Sequence, residues 1–470
     1  MARRHVLDAE LDPHMHTDHI LVLGLGISGL AAAELALMHG RRVTVLDERE
    51  STTLHERMSR LQNRGVRVEL LWNRDNVDDP VDLAVISPGI AADTRLGRLA
   101  AGLCCPVVSE IEFAFRYCSC PVIAVTGTNG KTTTVDLTAH CLRHAGYKVL
   151  PAGNNGYPLS EAVLKSADLD ALVVEVSSFQ LERIEKFAPR VAAVLNVTPD
   201  HLDRYPDLHA YCEAKARIAL NLRHAGQLVL HEDVASIPEV QRMLPDRGRP
   251  VLFSSSAHST TDYLLSDDVT LCRQHHGQLQ PILQRSELRL VGRHNLENVM
   301  AAIALCEYVG ADPAAICEGV RTFTPSPHRL ELVTVQRGVT YINDSKATNP
   351  DAMLRAVEAM RERTAGRIIL IAGGLDKSLD FTPVGAELSK CVHEIFLFGS
   401  CRKRLAKQWE GVVSCKPCTS LEACVDGALE MASPGDTVLF SPGCASQDMF
   451  TDYAERGRNF CDLITRKVGE

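Results

Sequence analysis

The sequence predicts a three-domain α/β protein: an N-terminal Rossmann-like sheet, a central P-loop ATPase-like mononucleotide-binding sheet with an antiparallel flank, and a C-terminal doubly wound Rossmann-like sheet. Three observations carry this. Residues 122–134 read as strand, glycine loop and helix. Residues 20–47 read as a strand, a GxGxxG turn, a helix and a second strand. After Pro325, strands ending in small or polar residues again alternate with helices.

At 470 residues the chain is too long for one core, and roughly two to four domains are expected. Its 45% hydrophobic and 23% charged composition is that of a globular protein. The net charge of −9, from 50 basic and 59 acidic residues, leaves no basic excess to displace counterions and argues against nucleic acid as a partner. Residues 1–18 are polar, carry His5, His14 and His16, and lack the apolar run of a secretory signal; a disordered extension is expected. No run reaches the length of a membrane span. Sixteen cysteines without framework spacing point to reduced thiols and a cytoplasmic location. The lone Cys415–Cys418 CxxC has no second pair, and His140 and His144 lack the Glu of an HExxH helix.

The first domain, residues 19–119, opens with the apolar run 20–23 and then Gly24-Leu25-Gly26-Ile27-Ser28-Gly29. A helix through Ala31, Leu35 and Met38 leads to a second strand over 43–46, which ends at Asp47. Asp47 is thereby placed to accept from a ribose hydroxyl. A further strand over 83–86 ends in Ser87-Pro88-Gly89 at the same crevice.

The second domain, residues 120–326, begins with the phosphate loop Gly127-Thr128-Asn129-Gly130-Lys131-Thr132-Thr133. Its glycines let backbone N–H groups turn inward around phosphate oxygens. Lys131 reaches the β- and γ-phosphates, Thr132 holds Mg²⁺, and the helix N-terminus adds its positive end. The gap between the glycines is shorter than in GxxxxGK[ST]. The buried strand 171–176 contains Glu175, a natural carboxylate for the nucleotide's Mg²⁺. The run 191–197 leads into Thr198-Pro199-Asp200-His201, with Lys215 on the helix beyond. Short strands at 228–230 and 251–253, set in polar sequence, suggest the antiparallel flank. A helix after Gly292 buries Val299, Ala302, Ile303 and Cys306 before Pro325-Ser326-Pro327 breaks the chain.

The third domain, residues 327–470, repeats the alternation. Strand 340–343 ends in Asp344-Ser345-Lys346-Ala347-Thr348-Asn349, strand 368–372 in Gly373-Gly374-Leu375-Asp376-Lys377, and strand 437–440 in a loop reaching Ser446 and Gln447. Small, polar and basic groups thus line one rim, where such sheets bind ligands.

Taken in order, the 127–133 loop, Glu175-Val176-Ser177-Ser178, Asn196 to Asp203, His294-Asn295 with Asn298, His328-Arg329 and Asn343 to Asn349 resemble the motif series of the Mur ligases. The match runs over about residues 19–461. The resemblance implies an ATP-dependent amide ligase of peptidoglycan precursor synthesis. The 24–29 and 441–448 stretches are similar to the member that adds D-glutamate to UDP-N-acetylmuramoyl-L-alanine. On that resemblance Gly26, Ser28, Asp47, Arg49 and Gly89 hold the uridine diphosphate, and Asn154 meets the sugar. Gly127, Thr128, Asn129, Gly130, Lys131, Thr132, Thr133, Asn298, Arg329 and Asp344 bind ATP. Two Mg²⁺ ions are implied, one on Thr132 and Glu175 and one on His201, with Lys215 carbamylated as a further ligand. Lys131, Glu175, His201 and Lys215 are then the catalytic set. Lys346, Thr348, Lys377, Ser446 and Gln447 take the D-glutamate carboxylates, and a monomer is expected. The chain departs from the family pattern in its 18-residue lead, in a slightly shorter His201–Lys215 segment, and in Gln447 and Tyr453 where apolar residues are expected.

Two other readings use parts of the same sequence. Another Mur-type ligase, or an amide ligase like folylpolyglutamate synthetase, fits the central motifs but leaves Asp47 and the first domain without a role. An NAD-linked dehydrogenase would use the 24–29 turn, yet has no need of Lys131 and Glu175.

Overall fold

The computed structural model describes residues 18–201, 204–222, 226–244, 249–256, 261–275, 277–376 and 380–468. Residues 1–17, which hold almost all of the expected extension, lie outside the described residues, as does Lys377. Three sheets of five, nine and six strands follow one another along the chain.

The N-terminal sheet is parallel throughout, its strands in the order 3-2-1-4-5. The order reverses between His19–Leu23 and Leu83–Ile86, the switch point at which such sheets open a ligand crevice. Gly24, at φ +89°, turns the chain from the first strand into helix Ile27–Met38. Gly29 has no room for a side chain, because a Cβ there would lie 1.8 Å from the Gly24 carbonyl oxygen. Gly29→Ala therefore destabilises the protein by about 1–3 kcal/mol, read as a lower denaturant midpoint at unchanged slope. An unchanged midpoint would show that this turn is not tightly packed.

The central sheet runs, from one edge, Gln278–Gln284, Thr270–His275, Tyr263–Ser266, Val251–Ser254, Gln227–His231, Val191–Val194, Val122–Thr126, Ala171–Glu175 and Val149–Gly153. The strands expected at 228–230 and 251–253 are not the antiparallel flank. They pair parallel with Val191–Val194 and with each other, extending the main sheet. Leu228, Val229 and Leu230 are buried without alternation, as in a strand covered on both faces. The antiparallel part starts later, where Tyr263–Ser266, Thr270–His275 and Gln278–Gln284 form a meander. Helix Lys131–His144 packs on helix Pro313–Thr322, and a Cβ on Gly319 would come within 2.7 Å of Cys141 Cα.

The C-terminal sheet has the order Glu331–Gln336, Val339–Asn343, Thr437–Phe440, Ile368–Gly373, Val392–Phe398 and Cys415–Pro417, with only its first strand antiparallel. Apolar layers cover both faces, one around Met353, Leu370 and Trp409, the other around Ile371, Phe440 and Phe460.

Polar contacts tie the first two domains. Glu112 is fully buried, and its Oε2 accepts the backbone N–H groups of Glu185, Lys186 and Phe187 at 2.9, 2.9 and 2.7 Å. Arg204 donates to the Pro88 carbonyl at 3.0 Å and to Glu182 at 2.8 Å. All sixteen cysteines are free. Among the described residues no helix is long and apolar enough to cross a membrane.

Candidate active site

The strand Val122–Thr126 is buried along its whole length and delivers the phosphate loop at its C-terminal end. Gly130 caps helix Lys131–His144 at φ +84°, and a side chain there would meet Asn298 Oδ1 at 2.3 Å. The loop is held from the neighbouring strand: Asn129 N–H donates to Asn196 Oδ1 at 2.8 Å, and Asn196 Nδ2 returns to the Asn129 carbonyl at 3.1 Å. Thr128 Oγ1 donates to the Thr198 carbonyl at 3.1 Å. Asn298 accepts from Thr134 Oγ1 at 3.3 Å, and Thr133 is buried in the first helical turn.

Lys131 folds back over this loop, donating to the Gly127 and Thr128 carbonyls at 2.9 and 2.8 Å. Burial lowers its pKa, opposed by the charges of Glu175 and Asp200. Thr132 Oγ1 donates to Glu175 Oε2 at 2.6 Å, while Asn154 Nδ2 donates to Oε1 at 2.8 Å. Asn154, expected at the sugar, here steadies this carboxylate. Lys215 is 1% exposed; its Nζ donates to the Gly127 carbonyl at 2.8 Å and sits 4.4 Å over the Tyr211 ring. Burial, reinforced by Lys131, drives its pKa well below the usual lysine range. Both causes favour the neutral amine, the form that attacks carbon dioxide. His201 has φ +55°, packs edge-on against Phe179 at 4.7 Å, and lies 3.9 Å from Asp200 Oδ2.

Among the described residues no three His, Cys, Asp or Glu side chains are grouped to hold a metal. Thr132 and Glu175 offer hard oxygen donors beside a phosphate loop. That set suits magnesium, which keeps waters and draws further ligands from phosphate.

The C-terminal domain closes the other side. Arg329 is half-buried, and its charge is felt by Lys131, Asp136, Asp344 and Lys346. Asp344 accepts from Ser441 Oγ at 2.8 Å and from Leu330 N–H at 3.2 Å, and burial pushes its pKa up to about 7. Lys346 Nζ lies 3.8 Å over the Tyr453 ring; burial, then Arg329, lower its pKa to about 8. Thr348 is half-buried and Gln447 exposed, while Ser446 is buried and its hydroxyl has no hydrogen-bond partner among the described residues. Asn129 of the phosphate loop donates to Asp351 Oδ2 at 2.8 Å, and Asn349 Nδ2 donates to Asp200 Oδ2 at 3.1 Å. These bonds join the central and C-terminal domains.

The residues expected to meet uridine diphosphate form a separate group at the N-terminal crevice. Asp47 is buried, and its two oxygens accept from Leu25 N–H at 2.8 Å and Arg49 N–H at 2.9 Å. Gly26 and Ser28 stand at the start of the helix, Gly26 with open space beside it, and Gly89 and the Arg49 side chain are exposed. Asp351, Arg204 and Arg456 are the polar residues that the motifs did not single out. Asp351 follows the Asn349 motif by two residues, and a Pro-Asp at a helix start was the available signal.

Comparison with known proteins bears on this arrangement. Residues 18–109 match the MurD-like N-terminal domain of Mur ligases, 125–306 the Mur ligase middle domain, and 328–444 the Mur ligase glutamate ligase domain. The chain is 36% identical over 453 residues to the UDP-N-acetylmuramoylalanine–D-glutamate ligase of Trichlorobacter lovleyi, covering 96% of this chain and 99% of that one. The chain belongs to the Mur ligase family. A second Mur ligase of the same description, from Caldanaerobacter subterraneus, is 35% identical over 450 residues, 94% of this chain and 96% of its own. The MurF ligase of Thermotoga maritima, solved in complex with ADP, shares the Mur ligase fold at a TM-score of 0.62 and 17% identity, over 91% of this chain and 95% of that one.

Proposed function

We infer that the protein joins D-glutamate to UDP-N-acetylmuramoyl-L-alanine, driven by ATP and releasing ADP and phosphate, in cytoplasmic peptidoglycan precursor synthesis. The observation that carries this reading is the near full-length likeness to ligases of that description. Residues 19–119 then bind the UDP part, 120–326 ATP, and 327–470 the amino acid.

An alanyl carboxylate is a poor electrophile. Its oxygen attacks the γ-phosphorus of ATP, ADP leaves, and an acyl phosphate forms. Lys131 exchanges its loop carbonyls for phosphate oxygens, and Arg329 faces the same charge. Magnesium, held by Thr132 and Glu175, would neutralise phosphate charge; His201 and a Lys215 carbamate would hold a second ion. Lys215 becomes a carbamate by forming an N–C bond to carbon dioxide and losing one proton to water. The neutral amine of D-glutamate then attacks the acyl carbon, the nitrogen gives up one proton to water, and the C–O bond to phosphate breaks as the tetrahedral intermediate collapses to the amide. Lys346, Thr348, Lys377, Ser446 and Gln447 receive the two carboxylates, and the buried Ser446 hydroxyl, without a partner among the described residues, fits such a role. The bonds from Asn129 to Asp351 and from Asn349 to Asp200 draw the domains together and exclude water from the acyl phosphate.

Two measurements test this reading. By calorimetry UDP-N-acetylmuramoyl-L-alanine binds and is displaced by UDP but not by NADH; tight NADH binding without UDP competition would favour a dehydrogenase. The second concerns pH. Lys346, faced by Arg329, Glu175, Lys131 and Asp452, loses its charge as pH rises through about 8. Competitive inhibition by glutarate, a dicarboxylate with no amine of its own to titrate, weakens over that range. An inhibition constant that stays flat from about pH 7 to 9 would contradict a charged Lys346 at the carboxylates.

A further inference from the structure

Helix Tyr453–Val468 carries a guanidinium that the reaction scheme does not use. Arg456 is fully buried beneath the two loops assigned above to the amino acid. Its Nε donates to Ser345 Oγ at 3.0 Å and its Nη2 to the Ser345 carbonyl at 2.7 Å. Its Nη1 donates to the Cys444 and Ala445 carbonyls at 2.9 and 3.2 Å. One planar fork thus spans the loop of Lys346 and the loop of Ser446, as a lysine could not. The relay continues on the first loop. Ser345 Oγ donates to the Tyr453 carbonyl at 2.7 Å, and the Tyr453 ring supports Lys346 Nζ at 3.8 Å.

The charge itself bears on the site. Asp344 and Asp448 lie near enough to be felt, but their bonded oxygens are engaged by Ser441 Oγ and Leu330 N–H in the first case and Ser400 N–H in the second. Arg456 is instead satisfied by carbonyls and one hydroxyl. Burial lowers its pKa to about 10, which leaves it charged at neutral pH. A buried cation bonded to neutral groups raises the potential at the loops around it, which favours an anionic occupant.

We propose that Arg456 is a positioning residue for amino-acid specificity: through Ser345, Tyr453, Cys444 and Ala445 it fixes Lys346 and the Ser446 hydroxyl where a dicarboxylic amino acid meets both. This rests on the reading that the C-terminal domain takes D-glutamate.

The test is steady-state kinetics of the full-length protein and two variants, Arg456→Lys and Ser345→Ala, with each substrate varied in turn. Arg456→Lys keeps the charge and loses the fork; Ser345→Ala keeps the charge and cuts the relay to Tyr453. Arg456→Lys raises KM for D-glutamate about tenfold and narrows the preference for D-glutamate over D-glutamine. KM for ATP and for the UDP-substrate stays within about twofold. Ser345→Ala moves the same constants in the same direction by less, and carries the test should Arg456→Lys not fold. Equal rises in all three KM values, or a lowered melting temperature with an unchanged KM for D-glutamate, would reduce Arg456 to a structural residue and overturn the proposal. Failure of the underlying reading shows itself separately, as unmodified protein that does not prefer D-glutamate over D-glutamine.

Discussion

Lys131→Ala lowers the rate of phosphate release from ATP by about a hundred- to a thousandfold. Phosphoryl transfer leaves the protein little covalent chemistry, so catalysis is positioning and charge neutralisation. Lys131 is half-buried at the turn of the loop and, among the described residues, bonded to the carbonyls of Gly127 and Thr128, bonds that phosphate oxygens can replace. Its removal takes a charge from the transferring group and leaves the N-terminal crevice untouched. The UDP-substrate dissociation constant accordingly stays near its original value while kcat collapses. A near-normal kcat in the variant would refute the ATP assignment.

Lys215→Ala is the second large effect, a loss of about a hundredfold or more, partly reversed by acetate or another short carboxylic acid. The reason is where the amine sits. Lys215 is 1% exposed, bonded to the Gly127 carbonyl, and beside Lys131, which opposes a second positive charge. A carbamate there turns a cation into an oxygen ligand, and a small carboxylate diffusing into the space of the missing side chain replaces part of it. The measurement is kcat against acetate concentration for the variant and the unmodified protein. Rescue confined to the variant is expected. No rescue, with unmodified density at Lys215 in a crystal structure of the active protein, would assign Lys215 a purely structural bond to the loop.

The phosphate loop was legible because its chemistry is written in consecutive residues: an apolar β-branched run, two glycines, a lysine and a row of threonines. Glu175 was legible as a charge within a buried strand, and the structure puts it 2.6 Å from Thr132. Asp47 was legible as an acidic strand end, but its bonds to Leu25 and Arg49 N–H groups, which shape the turn, were not. Strand direction at 228–230 and 251–253 escaped because runs this short in polar sequence look alike in parallel and antiparallel sheets. Sequence spacing hid the contacts between domains. Asn129 meets Asp351 across 222 positions, and Arg204 reaches Pro88 across 116. Arg456 was hidden for another reason: an arginine on an amphipathic helix reads as solvent-exposed until the loops above it are in place.

The most direct test is phosphate release from ATP with magnesium, UDP-N-acetylmuramoyl-L-alanine and a panel of D- and L-amino acids. Release that requires both the UDP-substrate and D-glutamate is the expected result. Release with a different amino acid, or without the UDP-substrate, would contradict it.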